Sequence, residues 1–382
     1  MSATPVQTPG TWALDSETMA AEILELVRCE SPSVDRAAVA RSAEAVDALG
    51  TRLFGEPAER IVLDGVTHLR WRFGGEPRVL ILGHHDTVWP VGSLDSHPAV
   101  VSDGRLTGPG SFDMKTGVVI AIHAVASLKS RDGVTLLITG DEELGSPSSR
   151  KLIEAEARGC AAALVLEASG PGGALKTERK GASHYEVCIY GKAAHAGLEP
   201  QSGVNATLEL AHQALAVTDI GRPDAGTTVT VTAASSGTTT NTVPAEGRFA
   251  VDVRAVTVAE QERVHREMNS LPARLPGASV EALGGISHPP FERDASQGLF
   301  ERARRLAAEL GLETLDQVAV GGASDGNFTA GLGIPTLDGL GAVGGGAHAD
   351  GEHVLVNQIP GRTRLLSALL VELLTGQEGA RP

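Results

Sequence analysis

The sequence predicts an α/β protein: a mixed, mostly parallel sheet with helices on both faces, interrupted by an inserted ferredoxin-like α+β domain. Three observations lead there. The wholly apolar runs at 79–82 (VLIL), 134–139 (VTLLIT, with threonines only) and 161–166 (AAALVL) have the length and branching of strands buried on both faces. Helical patterns separate them, the alternation that builds a parallel sheet. From about 183 to 283 the texture changes to strand, helix, two strands, helix, strand, the order of a split β-α-β sandwich.

Taken in order, the first helix is expected over 16–28, where Met19, Ile23, Leu24 and Val27 recur at helical spacing before Pro32. A second helix is expected over 37–53, and 60–73 reads as strands. The run 79–82 leads at once into Gly83, His84, His85 and Asp86, at the carboxyl edge where open α/β sheets bind their ligands. If that strand continues through Asp86, its two-residue period sets His84 and Asp86 on one face and His85 on the other. Turn chemistry fills 100–110, so Asp113 falls on a loop entering a helix over 115–128. The strand 134–139 ends in Gly140, Asp141, Glu142 and Glu143; a helix covers 148–157; and 161–166 ends in Glu167. The insertion has strands at 183–190, 227–234, 248–254 and 279–283 and helices at 203–217 and 258–271. After Pro289 and Pro290 come a helix over 295–310, strands at 317–320 and 335–337, a glycine-rich loop to Asp350 and a last helix over 358–374.

Composition narrows the function. At 382 residues the chain exceeds one comfortable core, so two domains are expected. A net charge of −15 argues against nucleic acid as a partner, and Arg302, Arg304 and Arg305 fit the solvated face of a helix. Cys29, Cys160 and Cys188 are scattered, giving neither a disulfide framework nor a thiolate zinc site and fitting a reducing compartment. Residues 1–15 lack a leader pattern and no apolar run approaches a membrane span, so a cytoplasmic protein is expected.

His84, Asp113, Glu143, Glu167 and His348 form a ligand set, each in a loop just after a strand or before a helix. Nitrogen and oxygen ligands without thiolate suit zinc, cobalt or manganese at a catalytic site. Acids clustered on one sheet edge repel one another unless a cation sits among them; the plain alternative is a set of unrelated polar loop ends. Asp86 is placed to fix the tautomer of His84. The adjacency of Glu142 and Glu143 lets one carboxylate hold a metal while its neighbour takes a proton from water.

With these residues the chain resembles the di-zinc amidohydrolases and exopeptidases that include glutamate carboxypeptidase, aminoacylase, acetylornithine deacetylase and succinyl-diaminopimelate desuccinylase, nearest the glutamate carboxypeptidase branch. The carriers are GHHDTV (83–88), GPGSFDMKTG (108–117), DEELGS (141–146), VLEAS (165–169), GKAAHAG (191–197), NTVP (241–244), DVR (252–254) and GGAHAD (345–350). The resemblance implies a zinc-exopeptidase-like fold holding two zinc ions, with cobalt or manganese as alternatives. It implies that Asp113 bridges them, that His84 and Glu167 complete one site and Glu143 and His348 the other, that Asp86 orients His84 and that Glu142 is the general base. It also implies a cis peptide at Asp113–Met114, although Met114 departs from a second Asp common in that branch. Arg254 would clamp a substrate α-carboxylate, Asn241 would contact substrate, and His195 would donate to the tetrahedral oxyanion from a neighbouring subunit of a homodimer formed through the inserted domain.

The expected organisation is a catalytic metal-binding domain in two parts, 1–178 and 290–382, around a lid and dimerisation domain at 179–289. The expected reaction is metal-dependent hydrolysis of an amide bond, releasing a C-terminal amino acid (glutamate being one candidate) from a peptide or N-acyl conjugate; an N-acyl-amino-acid deacylase is the alternative. A remote alternative is a serine hydrolase using Ser324, because GASDG (322–326) fits G-x-S-x-G and Asp350 and His353 follow, but it leaves the ligand set unexplained. A binding protein that has lost catalysis is disfavoured because every metal and base position is filled.

Overall fold

A computed structural model describes residues 15–376; residues 1–14, within the stretch whose sequence shows no leader pattern, and residues 377–382 lie outside it. The chain divides into two units: Met1–Glu178, Arg293–Ala319 and Ser324–Pro382 form one, and Arg179–Glu292 with Val320–Ala323 the other. Among the described residues no helix is long and apolar enough to cross a membrane.

The first unit is built on a six-stranded sheet in the order Glu59–Leu63, Val66–Arg72, Val134–Thr139, Val79–His84, Ala162–Val165, Thr336–Leu337. The first three strands pair antiparallel and the last four parallel, so the sheet is mixed and mostly parallel at its centre. Every residue of Val79–His84, Val134–Thr139 and Ala162–Val165 is buried, which is why these segments read as unbroken apolar runs. The two-residue period then sorts their side chains. Val79 and Ile81 join a core with the helices Ser16–Arg28, Thr116–Ala126 and Ile359–Thr375, while Leu80 and Leu82 pack with Ile153, Ala157 and Phe328 on the other face.

A second, antiparallel sheet of this unit runs Gly344–Gly345, His353–Leu355, Arg105–Thr107, Val101–Ser102. Its register, His353 opposite Thr107 and Val354 opposite Leu106, lays the glycine-rich loop that carries His348 alongside the loop that carries Asp113.

The second unit has the sheet order Thr228–Ser236, Glu246–Ala255, Gly181–Tyr190, Ser279–His288, antiparallel throughout, with helices Ala206–Thr218 and Val258–Met268. Chain order β-α-β-β-α-β with this pairing is the ferredoxin-like arrangement. Tyr185, Val187, Ile189, Phe249, Val251 and Val253 alternate inward against Val217, Val264 and Met268. The last strand runs to His288, beyond the expected end at 283, because Gly284 (φ 101°) and Gly285 interrupt the apolar pattern without breaking the ladder. The unit's two ends meet: Arg179 and Phe291 exchange backbone hydrogen bonds of 2.9 and 3.0 Å.

Candidate metal centre

Three neighbouring parallel strands deliver the centre. His84 is the last residue of its strand; Glu142 and Glu143 lie in the short helical turn Glu142–Leu144 after Val134–Thr139; Glu167 follows Ala162–Val165. Asp113 comes from the opposite direction, in the turn Ser111–Lys115 that opens the helix Thr116–Ala126, and the Asp113–Met114 peptide bond is cis. This helix can press against the strand end only because residue 117 is glycine: a Cβ there would stand 2.0 Å from the Leu166 carbonyl oxygen. His348 sits at φ 60° in the loop after Gly345 and Gly346.

The distances divide the ligands about Asp113. Its Oδ1 lies 3.4 Å from His84 Nε2, which in turn lies 3.4 Å from Glu167 Oε1. Its Oδ2 lies 3.4 Å from His348 Nε2, which is 3.2 Å from Glu143 Oε2. One carboxylate thus turns one oxygen to each of two histidine–glutamate pairs. Glu142 Oε2 stands further off, 3.9 Å from His84 Nε2.

The tautomer of His84 follows from its other nitrogen. Nδ1 is 3.0 Å from the Asp86 backbone carbonyl, which can only accept, so Nδ1 carries the proton and Nε2 presents a lone pair. The Asp86 carboxylate, 3.4 Å from Nδ1, does more than face the imidazole. It accepts the backbone N–H groups of Glu142 and Glu143 at 3.3 and 3.2 Å and the Ser33 hydroxyl at 2.6 Å, fixing the turn that bears both glutamates. The strand therefore ends before Asp86, and hydrogen bonding rather than strand alternation aims its side chain.

The electrostatics favour a cation. Burial disfavours charge on His84, but Asp113, Asp86, Glu167 and Glu142 outweigh it and lift the imidazole well above its ordinary pKa. Asp113 and Glu143 raise His348 to about 10. Against its own burial, Asp113 is held well below the usual carboxylate range by His348, His84 and Lys176. Burial, with Glu167, Asp325 and Glu143 adding repulsion, pushes the Glu142 carboxyl well up. The donor set fits divalent ions: His84 Nε2, Asp113 Oδ1 and Glu143 Oε1 are buried and have no hydrogen-bond partner among the described residues, as suits atoms whose lone pairs serve as ligands. Two overlapping groups of convergent ligand atoms recur here, His84–Asp113–Glu143 and His84–Glu142–Glu167.

His195, Asn241 and Arg254 lie in the other unit. Ala194–His195 pairs with Thr242–Val243, and Ala196 N–H donates to the Asn241 carbonyl, so His195 and Asn241 are neighbours. His195 Nδ1 accepts the N–H groups of Gly197 and Leu198, both at 3.1 Å, which leaves the proton on its exposed Nε2. Arg254, on a separate strand, pairs through Nε and Nη2 with both oxygens of Asp252 at 2.9 Å. Four residues of the centre's surroundings escape sequence reasoning: Ser33, Lys176, Asp325 and Glu352. Lys176 Nζ lies 3.9 Å from Glu167 Oε2, and the buried Asp325 accepts the hydroxyls of Ser146 and Thr139 behind the glutamate turn. Glu352 had a visible signal, an acid four residues after His348.

Ser324 is no nucleophile elbow. It is buried, its hydroxyl donates to Asp338 at 2.7 Å and accepts Gly326 N–H at 3.1 Å, and no histidine among the described residues reaches it. Arg302, Arg304 and Arg305 form an exposed face paired to Glu372, Glu301 and Glu309.

Two imidazoles and four carboxylates converging at the edge of an α/β sheet are the donor set of a metal-dependent hydrolase. Residues 80–372 match the family model described as Peptidase family M20/M25/M40, and the chain belongs to that family. It is 31% identical over 316 residues to carboxypeptidase G2 of Pseudomonas sp. (strain RS-16), covering 79% of this chain and 75% of that protein. It is 28% identical over 345 residues to succinyl-diaminopimelate desuccinylase of Ectopseudomonas mendocina (strain ymp), covering 84% and 90%. The fold also matches a dinuclear metal-binding M20 peptidase of Bacillus subtilis with a TM-score of 0.66 at 15% identity, over 94% of this chain and 99% of that one.

Proposed function

We propose that this hydrolase holds two zinc ions, cobalt or manganese being able to replace them, and releases a C-terminal amino acid from a peptide or N-acyl conjugate. Glutamate is one candidate for that amino acid, and deacylation of an N-acyl amino acid is the second reading. The observation that carries the two-metal part is Asp113, whose two oxygens each face a different histidine at 3.4 Å. His84 and Glu167 would complete one site, and Glu143 and His348 the other. When bound, two such ions polarise a carbonyl and lower the pKa of the attacking water.

The protein's own groups supply the rest. Glu142, farther from His84 than Asp113 and Glu167 are and with its pKa raised mainly by burial, takes the proton from the attacking water and returns it to the leaving nitrogen. Asp86 keeps Glu142 and Glu143 in register by accepting both of their backbone N–H groups. His195 donates from Nε2 to the oxyanion of a neighbouring subunit's centre in the homodimer, and Asn241 beside it contacts the substrate. Arg254 spends one side of its fork on Asp252, so its Nη1 side meets the substrate α-carboxylate, a group that both C-terminal peptides and N-acyl amino acids carry.

A homodimer through the inserted unit suits its surface. The helix Ala206–Thr218 exposes Leu208 and Leu215 beside the uncharged edge strand Thr228–Ser236. A reducing, cytoplasmic setting goes with three free cysteines. The test is a hydrolysis screen over N-acyl amino acids, dipeptides and folate-like glutamate conjugates with zinc or cobalt supplied. Turnover confined to substrates with a free α-carboxylate supports the reading, and preference for blocked C-termini overturns it.

A further inference from the structure

We propose that Glu352 is a positioning residue of the metal centre, its buried carboxylate holding the segment of the bridging Asp113 against the segments of His84 and His348. The inference rests on the two-metal reading above. Glu352 is wholly buried and accepts four N–H groups. Oε1 takes those of Phe112 at 2.8 Å and Asp113 at 3.1 Å; Oε2 takes that of Gly110 at 3.0 Å and the indole Nε1–H of Trp89 at 2.7 Å. An ionised carboxylate only accepts, and four donors fill its lone-pair sites.

The origin of those donors gives the role. Three come from the turn that presents Asp113, one of them from the Asp113 amide itself. The fourth comes from Trp89, five residues past His84, and Glu352 stands four residues past His348. A single side chain therefore ties its own segment, which bears His348, to two other ligand-bearing segments that lie 239 or more residues away in sequence. Because Asp113 has to offer one oxygen to each histidine–glutamate pair, a rotation of its backbone would tilt both oxygens at once. Supporting groups of this kind are worth about 10- to 100-fold in metal affinity.

Glu352→Gln tests this with little change in size. The amide can accept at one end only, and its NH2 meets two N–H groups at the other. Metal-free wild type and variant are titrated with zinc against a chromophoric chelator, and with cobalt while the visible d–d absorption is followed, at a temperature where circular dichroism shows both fully folded. The expected result is zinc affinity about 10- to 100-fold weaker and an altered cobalt spectrum. Wild-type affinity and spectrum, with only the melting temperature lowered, reduce Glu352 to a fold staple and overturn the proposal. Should Glu352→Gln not fold, Trp89→Phe decides instead, since it keeps the ring stacked on His97 while losing one donor: weaker zinc binding and a shifted cobalt spectrum support the proposal, and unchanged values overturn it. If wild type itself binds fewer than two ions, the two-metal reading fails, which is a separate result from either variant's.

Discussion

Replacing Glu142 with glutamine separates the two roles open to that residue. Its Oε2 is 3.9 Å from His84 Nε2, whereas Asp113 Oδ1 and Glu167 Oε1 are each at 3.4 Å, yet Glu142 does converge with His84 and Glu167. Glutamine keeps the shape, and the backbone N–H that donates to Asp86 is untouched. What disappears is the ability to take a proton. If Glu142 is the base, Glu142→Gln keeps the wild-type metal content while kcat falls by about 10²- to 10⁴-fold, or ~3 to ~5 kcal/mol of barrier, with KM little changed. Metal content by plasma emission spectrometry and steady-state kinetics on one N-acyl amino acid read both quantities. Loss of an ion would make Glu142 a ligand, and kcat within threefold of wild type would remove it from the chemistry.

Three more outcomes follow from burial and charge. His84 is 1% exposed and the His348 side chain 48%, so stepwise dialysis against a chelator should first remove the ion held by Glu143 and His348, and His348→Ala should lose that ion alone; equal loss of both would contradict the assignment. Asp325, whose carboxyl burial pushes up to about 7, favours the fold only while protonated; that contribution is complete below about 4 and lost as the pH rises through 7. Metal-free Asp325→Asn should accordingly lose less melting temperature than wild type between pH 4 and 8, and parallel profiles would refute this. Arg254→Ala should raise KM for substrates with a free α-carboxylate by at least tenfold, roughly the strength of one charge-assisted hydrogen bond, and leave the corresponding amides unaffected; equal losses on both would remove Arg254 from recognition.

The parts of the centre legible in the sequence are those whose signal is local. His84, Glu143 and Glu167 each follow an apolar run, and a buried strand that ends in a polar group marks the rim of a sheet. Ser33, Asp325 and Glu352 end no apolar run, and their partners, the Asp86 carboxylate, the Ser146 hydroxyl and the Asp113 amide, lie 53, 179 and 239 residues away along the chain. Asp325 was further masked by its neighbours, since GASDG has the look of a nucleophile elbow while its serine is bound to Asp338. The face on which Asp86 lies came out as strand alternation suggests, but for another reason: the strand stops at His84, and Ser33 with the 142–143 turn holds the carboxylate.

The paired backbone bonds between Arg179 and Phe291 make the inserted unit a detachable module. With its ends already side by side, a short turn could replace it without stretching the chain on either side. Such an excision would keep His84, Asp113, Glu143, Glu167 and His348 and discard His195, Asn241 and Arg254 in one cut. The five residues that gather at the sheet edge thus lie in a different unit from His195, Asn241 and Arg254, so either group can be varied by changes confined to its own unit.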